Sequence, residues 1–282
     1  MKIATTTGSA LTAQSARQLK ACGYDAVDYS GAIYAYEPYT GIYTLPDDAF
    51  DAYFRRDGKL LADAGLEVYQ AHAPYHTIPD DESETDFMRQ CIRRSIRATA
   101  MVGGTYLVIH PAQPMHWSTD LHPDRTRDYN LRLFAELLPL AHEWNVRLAL
   151  ENMPGAGIPA GTPASLIDYI DAMGDPDWFV ACLDTGHANF SGVDCGAFVR
   201  LLGPRLKALH VHDNHGARDE HLGAFMGTVA WEPFVQALAD VGYSGAFSFE
   251  SGFAGQFPEG FSARADALQA ALGKYLCETH GL

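Results

Sequence analysis

Histidine and carboxylate side chains recur in six short segments of this chain, and apolar residues precede most of them. The segments are AHAPYH (71–76), VIHPA (108–112), LENMP (150–154), LDTGHAN (183–189), LHVHDN (209–214) with DEHL (219–222), and SFES (248–251). Imidazole nitrogens and carboxylate oxygens form a mixed ligand set that suits a divalent Mn, Co, Zn or Mg ion. One buried histidine is usually a hydrogen-bonded core residue, but several such segments predict a metal site if the fold brings them together.

The elements that would position these residues alternate along the chain. Short apolar runs predict eight strands: Lys2–Thr6, Ala26–Tyr29, Glu67–Ala71, Tyr106–Ile109, Arg147–Leu150, Phe179–Leu183, Leu206–Val211 and Ala246–Phe249. Helical patterns follow them: Thr12–Cys22, Pro46–Ala64, Thr85–Val102, Thr126–Trp144, Pro163–Met173, Asp194–Leu202, Trp231–Val241 and Ser262–Cys277. This alternation predicts an α/β fold, a (β/α)8 TIM barrel with a single domain over residues 1–282. A doubly wound open sheet is the alternative, and it would usually have fewer strands.

The residues that could do chemistry follow the third to eighth predicted strands. In α/β barrels the active site lies at the carboxyl ends of the strands, in the loops that follow them. We therefore expect one rim to carry His72, His110, Glu151, Asp184, His187, His210, Asp219, His221 and Glu250.

The composition and net charge of the chain argue against some classes of binding partner. The 282 residues include 35 Asp and Glu against 20 Lys and Arg, which gives a net charge of −15. Proteins that bind nucleic acids or anionic membranes usually show a basic excess, so we expect a small-molecule substrate, no nucleic acid and no membrane partner. Five dispersed cysteines and the lack of an apolar leader segment favour a cytoplasmic location. A homo-oligomer is left open.

The six segments together resemble the xylose isomerase-like TIM barrels, a superfamily of sugar isomerases and epimerases, inosose dehydratases and the endonuclease IV repair nucleases. The resemblance covers the third to eighth strands, about two thirds of the chain. It implies that Glu151, Asp184, His210 and Glu250 bind one divalent ion, with Mn²⁺ favoured over Co²⁺, Mg²⁺ and Zn²⁺. It also implies that His187 and His221 face the substrate or a further metal.

The same resemblance leaves a nuclease as an alternative. All nine residues expected on the rim match the ligand set of the three-zinc nucleases, so a second metal at His187, Asp219 and His221 is left open. Arg125 and Arg218, however, are the only clear cations in the loops after the second to seventh strands. Binding of a DNA duplex needs several phosphate contacts, so we expect no cleavage of abasic DNA.

The loops also bear on the substrate, because scarce cations argue against a phosphorylated sugar. Aromatic residues could stack on an uncharged sugar or simply pack the top of the barrel: Tyr34, Tyr36, Tyr39, Tyr43, Trp117, Phe190, Phe225, Trp231 and Phe253. The turn over 221–231 departs from its usual form in the family, since Phe225 and Met226 are bulky and Ala230 replaces a common Asp. The arginine-bearing loop of the ketohexose 3-epimerases is also missing.

These patterns predict a metal-dependent sugar isomerase or epimerase that moves a proton next to a carbonyl of a small, non-phosphorylated sugar or polyol. Glu151 and Glu250 are the predicted acid/base pair. The predicted substrate-binding residues are His72, His110, His187 and His221. An inosose dehydratase, which starts from the same enolisation, is the first alternative. An abasic-site nuclease and a non-catalytic sugar-binding barrel follow it.

Overall fold

The computed structural model describes residues 1–8, 11–35, 41–75, 77–78, 85–114 and 123–282. Within those ranges, eight parallel strands form one sheet: β1 (Lys2–Thr6), β2 (Ala26–Tyr29), β3 (Glu67–His72), β4 (Tyr106–Ile109), β5 (Arg147–Glu151), β6 (Phe179–Asp184), β7 (Leu206–His210) and β8 (Ala246–Phe249). Each strand pairs with the next in sequence from β1 to β7, and β8 pairs with β1. The predicted (β/α)8 TIM barrel is therefore confirmed.

The last gap in the ring, between β7 and β8, is bridged at the strand ends. The N–H of Val211 donates to the carbonyl of Ser248 (2.8 Å), and the N–H of Glu250 donates to the carbonyl of Val211 (3.1 Å). These two bonds bring the residues that follow β7 and β8 side by side, directly beside His210.

Helices cover the outside of the sheet in the described residues: α1 (Ala13–Cys22), α2 (Asp47–Asp63), α3 (Thr85–Val102), α4 (Pro123–Trp144), α5 (Pro163–Met173), α6 (Cys195–Leu202), α7 (Trp231–Asp240) and α8 (Glu259–Thr279). The Thr162 hydroxyl caps α5 by accepting from the N–H of Ser165. Two short helices, Gly31–Ala35 and Thr185–Phe190, and a small sheet of Thr77–Ile78 with Gln113–Pro114 were not predicted. No helix in the described part of the chain is both long and apolar enough to cross a bilayer.

The alternation of side chains along each strand separates two layers. In β5, Leu148 and Leu150 pack outward in the main hydrophobic core, whereas Ala149 faces a small cluster inside the barrel. Because successive side chains point to opposite faces, Glu151 shares the inward face with Ala149. In β7, Ala208 likewise lies in the inner cluster, two residues before His210. The barrel interior is therefore lined by small residues below and by ionisable residues at the strand ends.

Candidate metal centre

Four side chains meet at the carboxyl end of the barrel. One oxygen each of Glu151, Asp184 and Glu250 and one ring nitrogen of His210 all lie within 4.8 Å of one another. Glu151, Asp184 and His210 are the last residues of their strands, and Glu250 directly follows β8. The first three are at most 1% exposed, whereas the side chain of Glu250 is 20% exposed. The four predicted metal ligands thus share one centre, and their metal-binding role stays a prediction.

Glu151 lies among four imidazole rings. Its Oε1 atom is 3.1 Å from His210 Nδ1 and 3.4 Å from His187 Nδ1. Its Oε2 atom is 3.0 Å from His110 Nε2 and 3.3 Å from His72 Nε2. Both oxygens of this one carboxylate therefore face groups that bind protons or metal ions, so Glu151 can join two neighbouring centres.

Backbone carbonyl groups orient three of the histidines. The Nδ1 atoms of His72, His187 and His221 donate, each at 2.8 Å, to the carbonyl oxygens of Ala73, Asn152 and Glu250. Since a carbonyl oxygen can only accept, these bonds place the proton of a neutral ring on Nδ1. Each Nε2 atom then faces a carboxylate and can carry either a proton or a metal ion. An Nδ1–H bonded to a carbonyl is the usual arrangement of a histidine that binds a metal ion through Nε2.

His210 is held in the opposite orientation. Its Nε2 atom is 2.9 Å from Asp28 Oδ2, and because a carboxylate accepts, Nε2 is the donor. Its Nδ1 atom is fully buried without a hydrogen-bond partner, 3.1 Å from both Glu151 Oε1 and Glu250 Oε2. A nitrogen lone pair facing two carboxylate oxygens is repulsive unless a proton or a metal ion lies among them. The donor set therefore fits a divalent ion.

Carboxylates on every side raise the pKa values of two site histidines. Burial lowers the pKa of His187, but the charge of Asp184 and the hydrogen bond to Asp219 outweigh it and raise that pKa to about 10. Burial also lowers the pKa of His221, but its hydrogen bond to Asp219 and the charge of Glu250 raise it to about 9. Both shifts show that this rim attracts positive charge.

The two predicted acid/base glutamates differ in their electrostatic surroundings. Burial raises the pKa of Glu151, but the charges of His210 and His110 outweigh it and hold that pKa well below its usual value. For Glu250 the pKa is raised, because burial and the charges of Glu151 and Asp184 outweigh the attraction of His210. Glu250 is thus the more basic and the more accessible of the two.

A second cluster lies beside Asp184 and includes a residue that the sequence analysis did not assign. Asp219 Oδ2 is 3.2 Å from both His187 Nε2 and His221 Nε2, so Asp219 contacts the two histidines proposed with it for a second metal, and that metal stays a prediction. The ring of His212 stacks on that of His221 with centroids 4.0 Å apart. The ligand atoms of His212, Asp219 and His221 lie within 4.8 Å of one another, as do those of Asp184, His187 and His212.

Asp184 is fixed by the short helix that follows β6. Its Oδ1 atom accepts from the N–H of His187 (2.6 Å) and caps the helix Thr185–Phe190. Its backbone N–H donates to the side chain of Asn152 (2.7 Å), and the Asn152 amide donates back to the Asp184 carbonyl (3.0 Å). Its Oδ2 atom is 2.9 Å from Nε2 of His212. One oxygen thereby caps the helix, and the other faces His212 in the second cluster.

The loop after β7, which carries Asp219 and His221, is anchored by Asp213. The Asp213 carboxylate accepts from the backbone N–H groups of Gly227 (2.9 Å) and Val229 (3.0 Å) and from the indole N–H of Trp231 (3.1 Å). Backbone hydrogen bonds also pair Asp213 with Leu222. Both ends of the loop are therefore fixed to the barrel, close to the second cluster.

The aromatic residues considered as sugar-stacking surfaces separate into two groups. Tyr43, Trp231 and Phe253 are at most 3% exposed, so they pack the top of the barrel. Phe190 is partly exposed and Phe225 is half exposed. Tyr75, which was not among the candidates, is also about half exposed, and its ring lies 4.8 Å from that of His110. The candidates Tyr36, Tyr39 and Trp117 lie outside the described residues, and only the backbone of Tyr34 is described.

Two site residues, Asp28 and His212, were not predicted. Asp28 lies inside the short apolar run of β2, and its partner His210 is 182 residues away, so no local pattern connects them. His212 is two residues after His210, the spacing that puts two side chains on one face of an extended segment. The two-residue spacing from His210 could have indicated His212 as a site residue. For Asp28 the only signal was that a charged residue is unusual in an apolar strand.

The sequence is similar to one protein family and to several curated proteins. The profile of the xylose isomerase-like TIM barrel family matches residues 16–272. An uncharacterized protein of Methanocaldococcus jannaschii is 28% identical over 187 residues, which are 64% of this chain and 63% of that protein. A probable endonuclease 4 of Geobacillus kaustophilus is 30% identical over 169 residues, 55% of this chain and 54% of that protein. The chain thus spans less than two thirds of either relative.

Solved structures share the whole barrel at low sequence identity. A D-tagatose 3-epimerase-like protein superposes with a TM-score of 0.77 and 22% identity, covering 100% of this chain and 98% of that one. An IolI protein with a bound zinc atom superposes with a TM-score of 0.76 and 13% identity, covering 99% of each chain. At these identities the likeness concerns the fold.

Proposed function

We propose that this chain, which belongs to the xylose isomerase-like TIM barrel family, is a metal-dependent isomerase or epimerase of a small, non-phosphorylated sugar or polyol. The observation that carries the proposal is the position of His210 Nδ1, 3.1 Å from an oxygen of both Glu151 and Glu250. The same three groups can hold a divalent ion and place two carboxylates beside a substrate. The sugar epimerase-like structure that shares the fold supports this choice.

The ion would be held by Glu151, Asp184, His210 and Glu250, with Mn²⁺ favoured over Co²⁺, Mg²⁺ and Zn²⁺. It would polarise a substrate carbonyl and stabilise the negative charge that develops on its oxygen. Support for a metal comes from the buried Nδ1 lone pair and from the zinc atom named for the structurally similar IolI protein.

The two glutamates would move the proton. Glu151 stays ionised beside its histidines, so it would be the base that takes the proton from carbon. Glu250 combines a raised pKa with a side chain that is 20% exposed, so it would hold a proton exchanged with solvent and deliver it to the other face of the substrate. Delivery to the same carbon inverts that carbon, and the proton on Glu151 then returns to solvent.

The histidines would orient the substrate. His72 and His110 line one side of Glu151, and the half-exposed Tyr75 ring is tilted against that of His110 with centroids 4.8 Å apart. His187 and His221 line the other side, where they would bind hydroxyl groups or, together with Asp219, a second ion. His212, which was not predicted, has a ring nitrogen within 4.8 Å of the ligand atoms of Asp219 and His221, so it could also bind a second ion.

The decisive experiment follows deuterium. The metal-loaded enzyme is incubated in D2O with a panel of ketoses, aldoses and keto-inositols, and deuterium next to the carbonyl is measured by NMR. Proton transfer through a carboxylate should introduce solvent deuterium into the product, and Glu250→Gln should lower the rate about 10²–10⁴-fold. Glu220→Gln is the matched control, because this carboxylate binds His215 on the same rim and has no proposed role.

Each other outcome has a distinct meaning. Turnover without deuterium uptake refutes the two-glutamate mechanism, since a hydride shift carries no solvent hydrogen. Loss of water from a keto-inositol would identify a dehydratase instead. Absence of turnover on the whole panel refutes the sugar isomerase proposal.

A second candidate, cleavage of a phosphodiester at an abasic site, is favoured by one observation. Glu151 belongs both to the central group and to a group with His72 and His110. His212, Asp219 and His221 form a third group that could hold a metal ion. Relatives named as probable endonuclease 4 fit this arrangement. We rank it second because of the net charge of −15 and the few cations in the loops.

A further inference from the structure

Asp28 is a carboxylate inside the barrel, 1% exposed, in the middle of β2. Its Oδ2 atom accepts from the Gln70 side-chain amide (2.7 Å) and from His210 Nε2 (2.9 Å), while its Oδ1 atom is buried without a hydrogen-bond partner. In the described residues no lysine or arginine contacts it. Burying a carboxylate in this way is costly unless it is paired, so Asp28 depends on His210 and Gln70 as its partners.

The register of the sheet places Asp28 opposite Gln70, from where it reaches His210 at the end of β7. The pairing of β2 with β3 shifts register between Val27 and Asp28, which puts Asp28 opposite Gln70. The Gln70 amide also donates to the carbonyl of Leu209 (3.2 Å), the residue before His210. Gln70 therefore ties the carboxylate and the imidazole into one unit that spans the barrel interior.

We propose that Asp28 is a positioning residue that holds His210 with Nε2 protonated and Nδ1 directed at Glu151 and Glu250. This inference rests on the proposed metal-dependent function. A carboxylate behind a histidine fixes the ring orientation and makes the opposite nitrogen a stronger donor to a metal ion, an effect usually worth 10- to 100-fold in affinity. Asp28 touches no substrate, since His210 lies between it and the centre.

The test compares metal binding by wild type, Asp28→Asn and Asp57→Asn. Asp57 is an equally buried carboxylate, 2% exposed, but it bonds the Tyr29 hydroxyl (2.6 Å) and the Arg56 guanidinium, away from the centre. Zinc affinity is measured by competition with a chromophoric chelator, and the visible spectrum of the Co²⁺-loaded protein reports the geometry of the ligands. Thermal unfolding of each variant confirms that it is folded.

We expect Asp28→Asn to raise the zinc Kd by about 10- to 100-fold and to change the Co²⁺ bands, whereas Asp57→Asn lowers stability and leaves both unchanged. If Asp28→Asn does not fold, Gln70→Leu replaces it, with an expected several-fold rise in Kd. A Kd within twofold of wild type and an unaltered Co²⁺ spectrum in the folded variant overturn the role of Asp28 alone. Failure of the wild type to bind zinc overturns the proposed function together with it.

Discussion

A methyl group added at Gly186 would test how firmly the rings of the second cluster are packed. Gly186 lies in the short helix after β6, and an added Cβ would fall 1.9 Å from Cε1 and 2.3 Å from Nδ1 of His212. Ordinary contacts begin near 3.4 Å, so the His212 ring would have to retreat by about 1.5 Å. It cannot do so freely, because the His221 ring stacks on it and Asp184 is bonded to Nε2.

We therefore expect Gly186→Ala to cost about 3 kcal/mol, combining overpacking with a weakened hydrogen bond to a charged group. That loss corresponds to a fall in Tm of roughly 6–12 °C for a domain near this size. Calorimetry of the metal-free protein measures it without interference from bound ions. Gly260→Ala is the matched control, because an added Cβ there meets no atom within 4 Å. A Gly186→Ala protein that melts within 2 °C of wild type would refute the packing described for His212.

Three further predictions concern metal, DNA and pH. An ion present at 100 times its Kd stabilises the folded protein by about 2.7 kcal/mol. Removal of the metal by a chelator should therefore lower Tm by about 5 °C or more in thermal scans, and His210→Ala should abolish this difference. An abasic duplex incubated with zinc-loaded protein at low salt should stay intact on a gel, and efficient incision that falls with added salt would favour the nuclease instead. Burial raises the pKa of Asp266 above its usual value, so the fold loses stability as the pH rises through the unfolded-state pKa and then the folded-state pKa of this carboxyl. Asp266→Asn should therefore raise Tm at pH 7 but not in acid below the unfolded-state pKa, and an equal shift at both pH values in thermal scans would contradict this linkage.

The barrel and its main centre could be predicted because the relevant signals are local. Each of Glu151, Asp184 and Glu250 follows an apolar run, and in a parallel barrel all such positions meet at one end. The alternation of side chains along each strand then directs them inward, as the inner position of Ala149 before Glu151 shows. These local signals predict the rim, whereas the choice of Glu151, Asp184, His210 and Glu250 as the ligands came from the family resemblance.

The supporting residues could not be predicted in the same way. The pairing of Asp28 with His210 depends on a register shift in β2 and on the bridge that joins β7 to β8. The contact between His212 and Asp184 depends on the unpredicted helix Thr185–Phe190, whose glycine leaves room for the ring. Such features arise only when strands distant in sequence are aligned to within one residue.

The anchoring of the β7 loop by Asp213 has a consequence for protein engineering. Asp213 holds the backbone at Gly227 and Val229 and the Trp231 indole, whereas the tip just before Gly227 exposes Phe225 and Met226 by 50% and 44%. The tip can therefore be randomised while the scaffold beneath it is conserved. A library at these two positions should leave thermostability nearly unchanged, and any change in the substrate preference of the proposed isomerase would assign a role in specificity to this loop.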